Sequence, residues 1–317
     1  MKNLIKKTQN TAFQNNLWQR GSRIVLGVSG GPDSVCLLDI FANLAPKYDL
    51  KLIIAHVNYG LRGGDSERDE KFVRKLSGKH GILIAVLNAK TKKISENVLR
   101  DIRYDFFERV RNENSFDMIA VAHNLEDQVE TFLMRIIRGA GLNGLSAMRY
   151  KSGKLIRPFL RTTRAEILEY LKKNKLAYRT DKTNESNLFF RNKVRNKLIP
   201  FLEKNFNPKI RKTIFAATVS IADDCSLLRD LAKKAARQNK TISVKSFLKL
   251  HPALQRRLLL QKIAEKKKEL RDVKSSHIEE IIKTIKSTKG KAPIVLFKGL
   301  KVAKKGDRVT IDFGKVK

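Results

Sequence analysis

Four short apolar runs constrain the fold of this chain more than any other feature: RIVLGV from Arg23, KLIIAHV from Lys51, ILIAVL from Ile82 and FDMIAVA from Phe116. Each precedes a longer amphipathic segment, namely Asp33 to Ala45, Asp65 to His80, Ile94 to Arg111 and Leu125 to Arg138. Short runs rich in Ile and Val read as strands, and segments with apolar positions three and four apart read as helices. A strand that is apolar on both faces needs cover on both. Helical crossovers supply that cover when the strands run parallel, so the predicted fold is α/β, with ligands bound at the carboxyl ends of the strands.

Beyond Gly139-Ala140-Gly141-Leu142-Asn143-Gly144 the pattern changes. A short strand near Leu155-Ile156, a helix from about Thr163 to Asn174 and the polar stretch TDKTNESN lead into another basic helix. A long helix from about Asn207 to Lys234 follows. Then comes a smaller unit in which helices at Ala253 to Lys267 and Ser276 to Ser287 precede the strands PIVLF and DRVTIDF. With 317 residues, two domains are expected. The boundary is placed near Ile214, giving a nucleotide-binding catalytic domain over 1–214 and a linker helix with a small helical and α+β domain over 215–317.

The formal net charge is +36, with 67 Lys and Arg against 31 Asp and Glu, and both halves are basic. A charge of that size is the electrostatic footprint of a polyanionic partner, and RNA is the expected one. Cys36 and Cys225 are far apart and form no CxxC pair, so neither a disulfide framework nor a thiolate metal site is signalled. The opening MKNLIKKTQNTAFQNN lacks an apolar signal core, and no later run is long enough to span a bilayer. The expectation is a cytoplasmic protein without membrane contact.

The first strand ends in LGVSGGPDSV. Gly30 and Gly31 free the backbone to turn its amides onto an anion, the helix starting near Asp33 adds its positive end, and Ser29 and Ser34 add hydroxyl donors. No lysine follows Gly31 and no GxGxxG follows this first strand, which excludes Walker-type and Rossmann loops here. What remains is SGGxDS, the loop of enzymes that split ATP between its α and β phosphates. Asp33 would be repelled by phosphate unless a divalent cation lay between them, so Mg2+ is its expected partner.

A second cluster, HNLEDQVET, follows the FDMIAVA strand and spaces His123, Asp127 and Glu130 along one helical face. Such a face could bind metal, move protons or clamp an ammonium group; it is equally what a solvated acidic helix start looks like. Arginines follow at Arg100, Arg103, Arg138, Arg157, Arg191 and Arg195. Breaking a phosphoanhydride requires cations to stabilise developing charge, and Arg103 and Arg195 are the candidates.

Taken in order, SGGPDS at Ser29 to Ser34, AHVNYGLRGGDSERDE from Ala55, ENVLRDIRY from Glu96, AHNLEDQVETFLMRIIRGAGLNGL from Ala122, IRPFL from Ile156 and DKTNESNLFFRNKVRNKLIP from Asp181 closely resemble the tRNA(Ile)-lysidine synthetases, bacterial enzymes of the PP-loop ATPase group. ALQRRLL at Ala253 and HIEEI at His277 extend the likeness into the small domain. The resemblance implies ATP and Mg2+, free L-lysine and an isoleucine tRNA with a CAU anticodon as reactants. It also implies a short architecture with one C-terminal domain, and it is compatible with a homodimer. Residue by residue, it puts ATP at Ser29, Gly30, Gly31, Pro32, Asp33, Ser34 and His56, and Mg2+ at Asp33. Catalytic roles fall to Asp33, Arg103, His123, Asp127 and Arg195, with lysine at Asp127 and Glu130 and tRNA at Arg100, Arg138 and Arg191. His123 is the expected acceptor of the amine proton. Four positions depart from the family pattern: Tyr59, where a second histidine is usual, Leu99, Asn124 and Glu126.

Two rivals stand beside this reading. A PP-loop enzyme that thiolates a tRNA base usually needs paired cysteines or an iron-sulfur cluster, for which Cys36 and Cys225 are poorly placed. A non-catalytic RNA-binding protein would account for the charge but not for Asp33, Asp127, Glu130 and Arg195 together.

Overall fold

The computed structural model describes residues 3–61, 63–89, 95–180, 189–237, 242–266, 273–287, 294–297 and 299–313. Ile94, most of TDKTNESN and the first residue of PIVLF lie outside the described residues. Two compact units are formed, residues 1–140 with 144–218, and residues 141–143 with 219–317.

In the first unit the elements run α1 (Leu4–Gln14), β1 (Arg23–Gly27), α2 (Pro32–Tyr48), β2 (Lys51–Asn58), α3 (Gly64–His80), β3 (Leu83–Asn88), α4 (Glu96–Glu113), β4 (Met118–Ala120) and α5 (Leu125–Ile137). They continue through a single turn, α6 (Leu142–Leu145), then β5 (Lys151–Ser152), β6 (Leu155–Ile156) and α7 (Arg164–Lys173). The strand order is β3-β2-β1-β4-β6-β5, parallel except for β5, which pairs antiparallel with β6. The α/β fold read from the apolar runs is therefore the fold observed.

Alternation along β1 explains why both faces are covered. Ile24 and Leu26 point into a core with Leu37, Phe41 and Phe159, whereas Val25 packs with Ile53, Phe106, Phe107 and Val110. Chain reversal between β1 and β4 leaves the loops after these strands side by side, which is the topological switch where such sheets bind ligands. At Gly27 the layers approach so closely that a Cβ would lie 2.6 Å from the Phe107 ring, so glycine is required by packing. α1 has no counterpart in the sequence reading. Its buried positions are Leu4, Thr8, Thr11 and Ala12, too small and polar to register as an amphipathic stripe.

After residue 188 one continuous helix runs through α8 (Phe190–Lys193), a π turn (Val194–Leu198) and α9 (Ile199–Asn205). The cause is Pro200, which lacks an N–H and whose ring clashes with the carbonyl four residues back; widening the preceding turn relieves both problems. Val194 and Ile199 then pack on Leu125, Val129 and Leu133 of α5. α10 (Ile210–Arg237) follows.

The second unit contains β7 (Ile242–Ser243), α11 (Val244–Leu248), α12 (Pro252–Lys266), α13 (Ser275–Lys286), β8 (Ile294–Phe297), β9 (Leu300–Lys305) and β10 (Arg308–Phe313). Its strands form an antiparallel sheet ordered β7-β10-β9-β8. Phe247, Leu259, Ile263, Ile281, Ile285 and Val302 fill its core.

Candidate active site

Strand β1 ends directly in the Ser29–Ser34 loop, which is held in shape from within. The Ser34 hydroxyl donates to the Gly31 carbonyl at 2.9 Å and accepts from the Ser29 amide at 3.2 Å, and the two hydroxyl oxygens lie 3.2 Å apart. Gly30 adopts φ +89°, a conformation that favours glycine, and its carbonyl accepts the Arg179 amide at 3.0 Å. Gly31 caps α2, Pro32 presets the first helical residue and Asp33 lies in the first turn.

His56, on β2, is buried behind this loop. Its Nδ1 is 2.8 Å from the Val28 carbonyl, so Nδ1 carries the proton and fixes the strand end from which the loop departs. Burial pushes its pKa down, and the neutral ring leaves Nε2 without a partner. His56 is thus a support beneath the loop and does not line the cavity in front of it.

That cavity, of about 250 Å3, is bounded by the loop, the ends of β1 and β2, the segment after β4 and one face of α4. Ser29, Gly31, Asp33, Ser34, Tyr59, Arg103, Tyr104 and His123 all reach it. Arg103 has no carboxylate partner among the described residues; its guanidinium lies 5.6 Å from the Tyr104 ring centre. The Tyr59 hydroxyl donates to the Leu99 carbonyl at 2.8 Å, so two positions that depart from the family pattern meet, tying the loop after β2 to α4.

Asp33 is half engaged. Arg164 donates to its Oδ2 at 2.8 Å, while Oδ1 is buried without a partner. Burial raises the carboxyl above its usual pKa, which Arg164 opposes and neighbouring Asp127 reinforces. No group of three or more His, Cys, Asp or Glu among the described residues could by itself hold a metal. A carboxylate oxygen without a hydrogen-bond partner, on a residue that lines the same cavity as Ser29 and Ser34, nevertheless fits Mg2+, which commonly takes one or two protein carboxylates and completes its shell with phosphate and water.

The second cluster folds differently from the single helical face expected. His123 precedes the helix, and Asn124 is the N-cap: its side chain accepts the Asp127 amide at 3.0 Å, and the Asp127 carboxylate accepts the Asn124 amide at 3.0 Å. Asn124 thus performs a capping role well suited to its side chain. Glu126 accepts the Arg164 amide at 3.0 Å, joining α5 to α7.

Glu130 has no exposed side-chain surface and accepts from Arg191 Nε at 2.7 Å, Arg195 Nε at 2.5 Å and Arg195 Nη2 at 3.0 Å. Arg191 also donates to Asp127 at 2.8 Å. Burial works against ionisation of Asp127, but Arg191, the Asn124 amide and Arg195 outweigh it and hold its pKa below the usual value. Burial likewise opposes charge on Arg191, yet Asp127 and Glu130 lock it cationic. Two arginines and two carboxylates therefore form a paired cluster, with Glu96 a further 3.8 Å from Arg191 and Arg191 turned inwards. Arg100 and Arg138, grouped with it in the sequence reading, sit instead over the rings of Tyr104 and Phe190, at 4.7 and 5.3 Å.

Arg157 donates its Nε–H to His123 Nδ1 at 3.3 Å and its Nη1–H to the Arg149 carbonyl at 2.9 Å. Burial pushes the His123 pKa well down, only partly offset by Asp127. A ring that resists protonation and already accepts a hydrogen bond at Nδ1 is ill suited to take a proton from an amine; its Nε2–H is a donor. The sequence reading missed Arg164, whose contact with Asp33 spans 131 positions and which looks like one surface arginine among many.

A parallel sheet whose first strand feeds a serine- and glycine-built anion loop, beside a cavity walled by an arginine-bearing helix, defines a PP-loop protein, and the PP-loop domain model matches residues 2–202. The U34-tRNA thiolase NcsA from Methanococcus maripaludis shares the fold, with a TM-score of 0.57 and 22% identity over 69% of this chain and 78% of that one. Sequence narrows the class further: the chain belongs to the tRNA(Ile)-lysidine synthase family. It is 33% identical to the tRNA(Ile)-lysidine synthase of Clostridioides difficile, over 97% of this chain and 70% of the relative. Identity is 36% to that of Clostridium tetani (89 and 63%) and 38% to that of Chlorobaculum tepidum (66 and 65%). The chain spans 62–70% of the length of the first curated relatives it matches.

Proposed function

We propose that the protein ligates free L-lysine to carbon-2 of the wobble cytidine in the CAU anticodon of an isoleucine tRNA, consuming ATP. The oxygen on carbon-2 takes the α-phosphoryl group and pyrophosphate leaves; the lysine ε-ammonium gives up a proton to water, the free amine bonds to carbon-2 as the C–O bond breaks, that oxygen departs with AMP, and the new C–N nitrogen releases a second proton to solvent. The supporting observation is the cavity that gathers Ser29, Asp33, Ser34, Arg103 and His123 at the switch point, with the Asp127 cluster on the adjoining helix.

On this reading the Ser29–Ser34 loop binds the phosphates and Asp33 Oδ1 would hold Mg2+, which neutralises phosphate charge when bound. Arg103, without a carboxylate partner, offsets the charge of the departing pyrophosphate. Asp127, held ionised, anchors the lysine ammonium. Glu130 positions Arg191 and Arg195, and His123 donates through Nε2. The small domain, 215–317, takes part in tRNA binding, and the reaction takes place in the cytoplasm. Base thiolation is disfavoured because the chain has two cysteines, both buried.

The decisive experiment supplies ATP and labelled lysine with a CAU-anticodon isoleucine tRNA, beside a methionine tRNA with the same anticodon. Label on the isoleucine tRNA alone, with stoichiometric AMP and pyrophosphate, is expected. Label on both, or on neither, refutes the proposal.

A further inference from the structure

Among the guanidinium groups of the first unit without a carboxylate partner among the described residues are those of Arg100, Arg103, Arg135, Arg138 and Arg157. They are satisfied by aromatic rings, backbone carbonyls and, for Arg157, the His123 ring nitrogen, none of which carries a negative charge. Arg138 differs from the rest in its partner. It is exposed at the end of α5, with its guanidinium 5.3 Å from the ring centre of Phe190, itself 38% exposed at the start of α8. An exposed flat ring beside an uncancelled flat cation is the arrangement on which unpaired bases stack, because every base offers a π face and phosphates lie close to it.

The position of Phe190 selects its occupant. The next residue, Arg191, turns inwards to Asp127 and Glu130, so the exposed ring lies one residue along the chain from the cluster assigned to lysine. We propose that the Phe190–Arg138 pair is the stacking platform for an unpaired base of the anticodon loop next to the reacting cytidine. This rests on the lysidine reading and adds a residue to it. A protein partner is disfavoured, because a single-sign field in a chain of net charge +36 is complementary to nucleic acid.

The test uses the full chain and CAU-anticodon isoleucine tRNA with a fluorescent adenine analogue in the loop beside the anticodon. Phe190→Ala and Phe190→Leu are each expected to weaken tRNA binding about 5- to 100-fold and to lose the quenching of the analogue, while Phe190→Trp retains both. The slope of log affinity against log salt should be unchanged in all three and reduced by about one in Arg138→Ala, which removes one phosphate-compatible charge. ATP affinity and melting temperature monitor the fold. Wild-type affinity and quenching in Phe190→Ala, or full rescue by leucine, overturns the platform. Failure of the wild type to join lysine to the tRNA overturns the parent reading instead, so the two failures are separable.

Discussion

Glu130 has no exposed surface, yet it accepts hydrogen bonds from two arginines. Removing its charge leaves both cations to share the Asp127 carboxylate, and a broken buried pair costs about 3–5 kcal/mol. Glu130→Gln is therefore expected to lower the denaturant midpoint substantially, whereas Asp33→Asn is expected to unfold normally and to lose at least about 100-fold in pyrophosphate release with tRNA binding intact. An Asp33→Asn protein that releases pyrophosphate at the wild-type rate would contradict the phosphate-site assignment. His56 adds a pH dependence. Its folded pKa is depressed, so the unfolded chain takes up a proton first as pH falls below about 6.5, and stability present above that value is lost on acidification. A melting temperature that falls from pH 7.5 to 5.5, and falls less in His56→Gln, is the expected result. In the sequence, Asp33 and Asp127 stood out by spacing. That Glu130 is sealed between guanidiniums, and that Arg157 occupies His123 Nδ1, depends on contacts across tens of positions that no local pattern encodes.

At the scale of elements, β1 and α4 are joined through Gly27 and Phe107. Gly27→Ala would place a carbon 2.6 Å from the ring, an overpacking expected to cost about 1–3 kcal/mol, with partial rescue by Phe107→Leu measured in chemical denaturation. The parallel strands and their helices were legible because apolar runs and amphipathic periods are local signals. α1 and β9 were not. The buried face of α1 includes two threonines, and β9 reads LKVAKK, in which lysines mask the alternation of Leu300 and Val302. Asn124 shows the same limit in reverse: against the family pattern it looked anomalous, but as an N-cap it is among the best residues available.

For the whole molecule, a net charge of +36 means that tRNA affinity should fall steeply with ionic strength, and by a similar factor for non-cognate tRNA. Specificity between isoleucine and methionine tRNAs should therefore change far less than affinity between about 50 and 200 mM salt, as filter binding can measure. The net charge of the sequence points to a polyanionic partner, but which arginines are available to one depends on which are already neutralised. Neutralisation is decided by the fold, as the contrast between Arg191 and Arg138 shows.

The π turn at Val194–Leu198 carries a further consequence. It holds one residue more than a regular helix needs and absorbs it locally, so both halves keep their phase; straightening the turn into α-helix with that residue retained would rotate one half by about 100° relative to the other. Either Arg191 and Arg195 would keep Glu130 and the apolar contacts of Ile199 would be lost, or the reverse. The spare residue acts as a phase adjuster between chemistry and packing. Deleting the exposed Lys197 together with Pro200→Ala, which lets a regular helix form in phase, should therefore give a folded protein that keeps both the Arg191–Glu130 pair and the Ile199 packing, as chemical denaturation can measure.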